Sequence, residues 1–371
     1  MSNEIDAVND NNEVILPPKA EKKGFLSKLF GWLSLSNLRG GGKLKGAVAV
    51  VVIIGFLLWA LAFYWGFEPD PFDVREAAQT RAMANNQLVN GKLVTGYVTS
   101  ATLVRVASTM LDKQGGYLSN DMLLPGVVMD NMPSWEFGVL VQVRDFSEAL
   151  RDDISRSQSQ SVEDPDLSKA EPQFKFANDS WLLPMTESEY QEAISLLENY
   201  LTRLTDDNPS DAQFFARADN LGDWLKTVEK RLGSLSQRLS ASVGQTRVNT
   251  DLAGERAGDQ ARPANSQVSV KTPWMEIDDV FYESRGAAWA LLHLMKAIEV
   301  DFKNVLQDKN ALVSLQQIVR ELEATQKTIW SPMVLNGTEF GFFANHCLVM
   351  SSYISRANAA IIDLRELLRQ G

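Results

Sequence analysis

The sequence is poor in the residues on which most metal and thiol sites depend. It has one cysteine, Cys347, and two histidines, His293 and His346, in 371 residues. A single cysteine excludes an intramolecular disulfide framework and every metal site that needs several thiolates. Two histidines leave little room for zinc chemistry. The sequence therefore predicts no metal and no cofactor.

Basic residues are also in deficit. Lys and Arg total 36 against 47 Asp and Glu, which gives a formal net charge of −11 and a pI near 4.9. Sequence-independent binding to nucleic acid needs a basic face that displaces counterions, so this balance argues against a nucleic-acid partner. With 45% hydrophobic residues, the composition is that of a folded protein with a sizeable core.

Motifs give no catalytic assignment, and we lean towards a protein that is not an enzyme. The chain has no G-x-S-x-G elbow and no H-E-x-x-H motif. His346 and Cys347 are adjacent, but neighbours in a helix point about 100° apart, which favours core roles over a nucleophile and its base. His293 is predicted to be a core residue with one hydrogen bond. The segment 164–166 (Asp-Pro-Asp) is interpreted as a solvated acidic turn, not a calcium loop.

The longest apolar stretch runs over 22 residues, from Gly46 to Phe67, without a charged residue, His, Asn or Gln. A helix of about 20 apolar residues crosses a hydrocarbon core of roughly 30 Å, so this stretch predicts a transmembrane helix. Trp59, Tyr64 and Trp65 gather in its C-terminal half, where they are expected to form an aromatic belt that anchors the helix in lipid.

The flanks of this stretch predict its orientation. From Lys22 to Lys45 there are six basic residues, among them Arg39 and Lys43, and no acidic residue, whereas acidic residues dominate after the stretch. The positive-inside rule places residues 1–45 in the cytoplasm as a basic, partly disordered tail, and residues 68–371 across the membrane. Residues 25–38 fit either an interfacial helix or an irregular lead-in. The apolar run is too long for a cleaved signal peptide, which favours an uncleaved anchor.

Beyond the anchor the spacing of apolar residues is helical almost throughout. The sequence predicts an all-α, or nearly all-α, protein, in which a single transmembrane helix precedes a multi-helix bundle with long antiparallel helices. Only residues 137–143 are compatible with a short strand. The segments near 156–175 and 241–272 are polar and rich in small residues. The first is predicted to be a solvated connection. The second fits a linker, a disordered excursion or a lid, of which we favour disorder.

The middle of the chain carries the clearest helix signals. Thr186-x-x-Glu189 has the form of a capping box before a helix that ends near Leu204. The next helix has an apolar stripe that alternates spacings of three and four residues, which predicts helix pairing. Its members are Leu221, Leu225, Val228, Leu232, Leu235 and Leu239. The simplest interpretation is an antiparallel hairpin with the preceding helix, and the alternative is a coiled coil with a second copy of the chain.

Tryptophan is the remaining unusual feature, with nine in the chain. Six lie beyond the predicted anchor: Trp135, Trp181, Trp224, Trp274, Trp289 and Trp330. Aromatic residues at helix packing sites are mostly core residues, and some are expected at an interface, where Trp is enriched. Trp135, Trp181 and Trp274 lie near predicted helix starts, which favours a stapling role for them.

Several motifs resemble one bacterial family. They are residues 71–76 (PFDVRE), 116–121 (GYLSND), 135–140 (WEFGVL), 231–240 (RLGSLSQRLS) and 354–360 (ISRANAA). They are similar to those of the proteobacterial family catalogued as domain of unknown function 2333, over most of the chain from the anchor onwards. The resemblance implies a Gram-negative inner-membrane protein and supplies no activity or catalytic residues.

The leading hypothesis is a single-pass inner-membrane protein, with its N-terminus in the cytoplasm, whose periplasmic helical domain is a binding or scaffold module of the envelope. Its expected partners are membrane lipid and either envelope proteins or a second copy of itself. The alternatives are a periplasmic hydrolase-like enzyme that acts on envelope polymers, and a receptor module that binds a small ligand between helices.

Overall fold

The structure is a computed structural model, and it describes residues 42–156, 162–206, 208, 211–248, 267–331, 333–338 and 341–370. Residues 1–59 and 60–371 form two units. The predicted tail up to Arg39, with its interfacial segment, lies outside the described residues. So does the centre of the segment predicted to be a linker or lid, residues 249–266.

The predicted all-α class is confirmed. In chain order the elements are α1 Gly42–Trp65, α2 Val74–Ala84, α3 Tyr97–Asp112, α4 Asn131–Ala149, α5 Leu167–Phe174, α6 Thr186–Leu204, α7 Ala218–Ser240, β1 Gln245–Val248, β2 Gln267–Val270, α8 Ile277–Asp301, α9 Lys303–Asp308, α10 Leu312–Thr325 and α11 His346–Arg369. Helix α4 continues into a π-helical turn over Leu150–Ile154. The two short strands form one antiparallel pair.

Helix α8 is the centre of the bundle. Between Ser284 and Ile298 nearly every side chain is buried, on all faces of the helix. A helix that is apolar all round must be covered on all sides, and α3, α4 and α10 pack around it, with α7 and α11 beyond. The core of the bundle is therefore built around α8.

Two glycines let α4 and α8 cross at close range. A Cβ on Gly138 would overlap the backbone oxygen of Glu283, and a Cβ on Gly286 would overlap that of Trp135. Each helix thus presents a glycine to the backbone of the other. Any side chain at either position would force the two helices apart.

The apolar stripe of α7 is buried, but the predicted hairpin is wrong. Its six residues, Leu221 to Leu239, are at most 6% exposed. Helix α7 packs along α11, whereas α6 packs against α5 and α3. The face that carries the stripe is thus covered within the chain, by a helix more than a hundred residues further on.

Four local expectations are also corrected. Residues 137–143 lie within α4, and the connection near 156–175 contains α5, which buries Leu167 and Phe174. Thr186 does not cap α6: it is buried, and its hydroxyl donates to the backbone oxygen of Ala177 at 2.8 Å. The ends of the segment 241–272 are ordered by pairing of β1 with β2, between the residues at 245 and 270.

The bundle has two ends, which we call proximal and distal and define by the helices that begin and end there. At the proximal end, α3, α5, α7 and α10 finish while α4, α6, α8 and α11 begin. The loops at this end bond to one another: Tyr117 Oη donates to Asn178 O at 2.9 Å, and Asn336 Nδ2 donates to Ser242 O at 3.0 Å. At the distal end, Lys309 Nζ donates to the backbone oxygen of Gln370 at 2.7 Å.

Candidate functional site

Helix α1 is the element that the sequence marked for the membrane. Among the described residues it is the one helix long and apolar enough to span a bilayer, over Lys45–Trp65, with a mean hydropathy of 2.7. Trp59 and Tyr64 are more than half exposed. Lys43 and Lys45, two of the predicted topology signals, lie in its first turn.

Trp65, the last residue of α1, contacts the bundle. It packs against the core, and its ring lies where a Cβ on Gly115 would be, at 2.7 Å. Gly115 has a φ of +87°, a conformation that glycine adopts without strain. Trp65 therefore has a protein contact in addition to its predicted place in an aromatic belt.

Three residues further on, Glu68 forms an ion pair with Arg285 of α8. The guanidinium Nε lies 2.8 Å from one carboxylate oxygen, and Nη2 lies 2.5 Å from the other. Nη1 donates to the backbone oxygens of Thr325 and Lys327, where α10 ends. The two side chains are only 16% and 7% exposed. A paired, bidentate guanidinium with its other donors satisfied is a strong and directional contact.

The next contact of this segment involves Phe72 and His293. The two rings stack with centroids 4.0 Å apart, and the backbone amide of Phe72 donates to His293 Nε2 at 3.0 Å. His293 Nδ1 bonds to the backbone oxygen of Trp289 at 2.7 Å. The imidazole is fully buried, and burial lowers its pKa to about 4. His293 is thus the core residue that the sequence predicted, with two hydrogen bonds instead of one.

The guanidinium of Arg105 also lies over the ring of Phe72, 4.4 Å from the ring centroid. One residue later, Asp73 accepts the amides of Arg75 and Glu76, both at 2.9 Å, and so caps α2. Residues 65–73 are therefore fixed to α3, to the loop after it and to α8 by packing, charge and hydrogen bonds, and Arg285 links α8 to the end of α10. We call residues 65–73 the junction.

A buried ion pair supports the loop beside the junction. Lys113 and Glu136 are almost inaccessible and bond to each other. Glu136 also accepts the amides of Leu118 at 2.8 Å and Ser119 at 2.9 Å, and Lys113 donates to the backbone oxygen of Gly116. Burial raises the pKa of Glu136, and attraction to Lys113 opposes that shift. The pair fixes the start of the loop between α3 and α4.

The other candidates for chemistry have structural roles. Cys347 is buried with its thiol 3.8 Å from the backbone oxygen of Ile277, and burial raises its pKa to about 12. His346 Nδ1 accepts the amide of Leu335 at 3.2 Å. The described residues contain no group of three or more His, Cys, Asp or Glu that could hold a metal ion.

The acidic turn at Asp164 and Asp166 is not the solvated one that the sequence suggested. Arg203 Nη2 lies 2.7 Å from the carboxylate of Asp164 and 2.5 Å from that of Asp166. Asp164 is 9% exposed. The turn therefore ties the start of α5 to the end of α6.

A cavity of about 400 Å³ opens at the distal end, between α2, the loop before α3, and α8. Three cations line it: Arg75, Lys92 and Lys303. Among the described residues none of the three forms an ion pair with an acidic side chain. Asp301 lines the same cavity but accepts the amide of Thr99 at 2.7 Å, and burial raises its pKa.

Of the six tryptophans of the bundle, three are buried and three are exposed. Trp135, Trp224 and Trp289 are buried as predicted, whereas Trp181, Trp274 and Trp330 are 54%, 81% and 95% exposed. All three exposed rings lie in proximal loops. The sequence carries one signal for the proximal loops: a Leu-Leu-Pro motif occurs at 123–125, between α3 and α4, and again at 182–184, beside Trp181.

The described residues thus define an all-α bundle preceded by one helix with the length and apolarity of a membrane span. Residues 39–371 match the family described as "Uncharacterized protein conserved in bacteria (DUF2333)", and the chain belongs to that family. The resemblance inferred from the motifs is confirmed. No curated protein and no solved structure matches the chain.

Proposed function

We propose that the protein is a single-pass inner-membrane protein whose periplasmic helical domain is a binding or scaffold module of the cell envelope. The apolarity and length of α1 support insertion in a bilayer. The basic residues before it and the acidic residues after it support a cytoplasmic N-terminus. Membership of a bacterial family agrees with an inner-membrane location.

The junction is the observation that carries this proposal. A simple tether would leave a flexible linker between a membrane helix and its domain. Here Trp65, Glu68 and Phe72 each contact the bundle within eight residues of one another. Such a junction ties the residues after the apolar helix to the bundle, and we propose that it lets the scaffold present one surface to its partners.

The environment of the histidine, cysteine and glutamate side chains that could act in catalysis also supports a scaffold. His293, Cys347 and Glu136 are all buried and engaged in contacts that hold the fold together. A general base or a nucleophile has to reach a substrate. These three groups are enclosed by the core, so we assign them structural roles.

Topology is tested with a reporter inserted into the chain after residue 70 and, separately, with one fused after residue 371. We expect alkaline phosphatase to be active and a cytosolic fluorescent reporter to be dark at both positions. The matched control is a fusion before residue 45, which should give the opposite pattern. An active cytosolic reporter after residue 70 would contradict the proposed orientation.

The scaffold role is tested by crosslinking in intact cells. A photoreactive amino acid at exposed positions of the full chain should give discrete crosslinked bands, and the variant E68A should change their pattern because the junction no longer orients the domain. E76A is the control, since Glu76 is exposed on α2. Identical patterns for E68A, E76A and the natural chain would remove the orienting role.

The distal cavity favours a second function, that of a receptor for a small anion. Three cations around about 400 Å³ are unusual on a chain of net charge −11. Inorganic phosphate or citrate should then raise the melting temperature of the natural chain but not of the K92A/K303A variant. K226A, on the exposed side of α7, is the control. No shift with either anion would exclude these two ligands.

A further inference from the structure

The proximal end of the bundle exposes an unusual set of large apolar side chains. They lie at the tips of four separate loops, between α3 and α4, between α5 and α6, before α8, and between α10 and α11. The most exposed are Leu123 at 80%, Leu183 at 88%, Trp274 at 81%, Met275 at 77%, Trp330 at 95% and Phe342 at 98%. Met122, Leu124, Val127, Val128, Trp181, Leu182, Met333 and Phe343 accompany them, each at least half exposed.

The distal end of the bundle is different. Among the described residues there, the large apolar side chains that are at least half exposed are Val162 at 79%, Val313 at 75% and Met83 at 54%. Among the described residues of the bundle, every tryptophan that is more than half exposed lies in a proximal loop, as does the exposed pair Phe342 and Phe343. Scattered exposed apolar residues are ordinary on a soluble protein, but a set this large at one end marks an interaction surface.

Hydrogen bonds at the base of these loops hold them in place. Asn120 Nδ2 donates to Ser180 O at 2.9 Å and to Glu187 at 2.7 Å, which joins the first two loops. Ser134 Oγ bonds to Asp279 at 3.0 Å, beside the third loop. The apolar tips therefore project from a hydrogen-bonded base and do not fold back onto the core.

The position of Trp65 indicates what these tips meet. Trp65 ends the apolar helix and contacts Gly115, which belongs to the first of the four loops. Arg285, the partner of Glu68, bonds to the backbone at Thr325 and Lys327, where the fourth loop begins. Two of the loops thus start beside the point at which the chain leaves the apolar helix.

We infer that the proximal end docks onto the bilayer that holds α1, with the apolar loop tips inserted in the headgroup region. This inference rests on the proposed membrane insertion of α1. Exposed Trp, Phe and Leu on separate tips suit an interface that accepts apolar groups at many points. A single concave groove would fit a protein partner better. The occupant is therefore lipid, and a protein partner is an outcome of the test.

The charge of this end defines the kind of lipid contact. Acidic side chains in or beside the described loops include Asp121, Asp130, Asp179, Glu187 and Glu276, and the exposed basic residues of these loops are Lys175, Lys271 and Lys327. An electrostatic dock would need a basic cluster facing anionic headgroups. Insertion here is therefore apolar, so it occurs on zwitterionic lipid and persists at high salt.

The test uses the full chain with C347A, reconstituted in nanodiscs of phosphatidylcholine. Single cysteines at Leu123, Leu183 and Phe342 carry an environment-sensitive fluorophore. We expect a blue-shifted emission and quenching by doxyl-labelled lipid at all three sites, at about 0.05 M and at about 1 M salt. V313C, at the distal end and similarly exposed, is the matched control and should behave as in water.

A fluorophore at Val52, within α1, separates the membrane insertion of α1 from the docking of the loop tips on lipid. Quenching by lipid at V52C with water-like emission at the three loop sites would overturn the inference and leave the anchor intact. No quenching at V52C would overturn the membrane location, and the inference with it. Loop sites that are shielded from aqueous iodide but not quenched by lipid would identify protein contact instead, and would also overturn lipid docking.

Discussion

Glu68 and Arg285 are 217 residues apart in sequence and share an almost buried ion pair. The pair joins the first residues after the apolar helix to the central helix of the bundle and, through Arg285, to the end of α10. Removing one partner of a buried ion pair is costly, because the charge of the other partner then stays buried without an opposite charge beside it. The pair therefore fixes the first residues after the apolar helix to the core of the bundle.

The first prediction concerns this pair. E68A leaves the guanidinium of Arg285 with only two backbone oxygens, and we expect a loss of about 3–5 kcal/mol in the free energy of unfolding. Denaturant unfolding of the full chain in detergent measures it. E76A is the control and should stay within about 0.5 kcal/mol of the natural chain, since Glu76 is exposed. Equal stability of the two variants would contradict a structural role for the pair.

The second prediction compares two glycines in helices. G138A places a methyl group against the backbone of α8 with no room for it, so we expect a loss of about 1–3 kcal/mol or more. Gly222 of α7 has nothing within 4 Å of its Cβ position, so G222A should gain about 1 kcal/mol from helix propensity alone. Thermal melts of both variants measure this. A gain for G138A would show that α4 and α8 do not cross so closely.

The positions of the helices could be predicted because the spacing of apolar residues reports directly which face is buried. Leu221 to Leu239 show both the strength and the limit of that signal. The stripe identified the buried face of α7, but a stripe does not name its neighbour, and α11 lies far along the chain. The predicted hairpin was wrong for that reason.

The junction could not be predicted for the same physical reason. Glu68 was visible only as one acidic residue in the flank of the apolar run, and its partner is a long-range one. The strand pair over 245–248 and 267–270 was missed because neither segment alternates apolar and polar residues over enough length to predict a strand. Trp181 and Trp274 were expected to staple helix starts, and Trp330 to lie in the core or at an interface, yet all three are exposed, since residue type alone does not distinguish a loop tip from a packing site.

The third prediction addresses the coiled coil. Leu232 is fully buried between helices of one chain, so L232D should unfold the bundle and not dissociate an oligomer. We expect loss of the cooperative thermal transition, measured by circular dichroism. S234D is the control, because Ser234 is exposed on the same helix. A folded L232D variant with a lower mass by light scattering would instead support pairing between copies.

The fourth prediction concerns pH. The neutral imidazole of His293 accepts the amide of Phe72, and burial lowers its folded-state pKa to about 4, against an ordinary value near 6.5. Between these values the unfolded chain binds a proton that the folded chain does not. The contribution of His293 to the free energy of unfolding is therefore complete above pH 6.5. It falls as the pH drops towards 4, by about 1.4 kcal/mol per pH unit at most.

The variant H293Q separates this effect from the titration of carboxylates. Gln can accept the amide of Phe72 but does not titrate, so the difference in unfolding free energy between H293Q and the natural chain should shift in favour of H293Q as the pH falls from about 6.5 to about 4.5. H346Q serves as the comparison: burial also lowers the pKa of His346, but this histidine is only partly enclosed, so its variant should show a smaller shift in the same direction. A difference that stays constant with pH for H293Q would mean that His293 is not held neutral by the core, and that the stacking of Phe72 on it does not depend on the neutral ring.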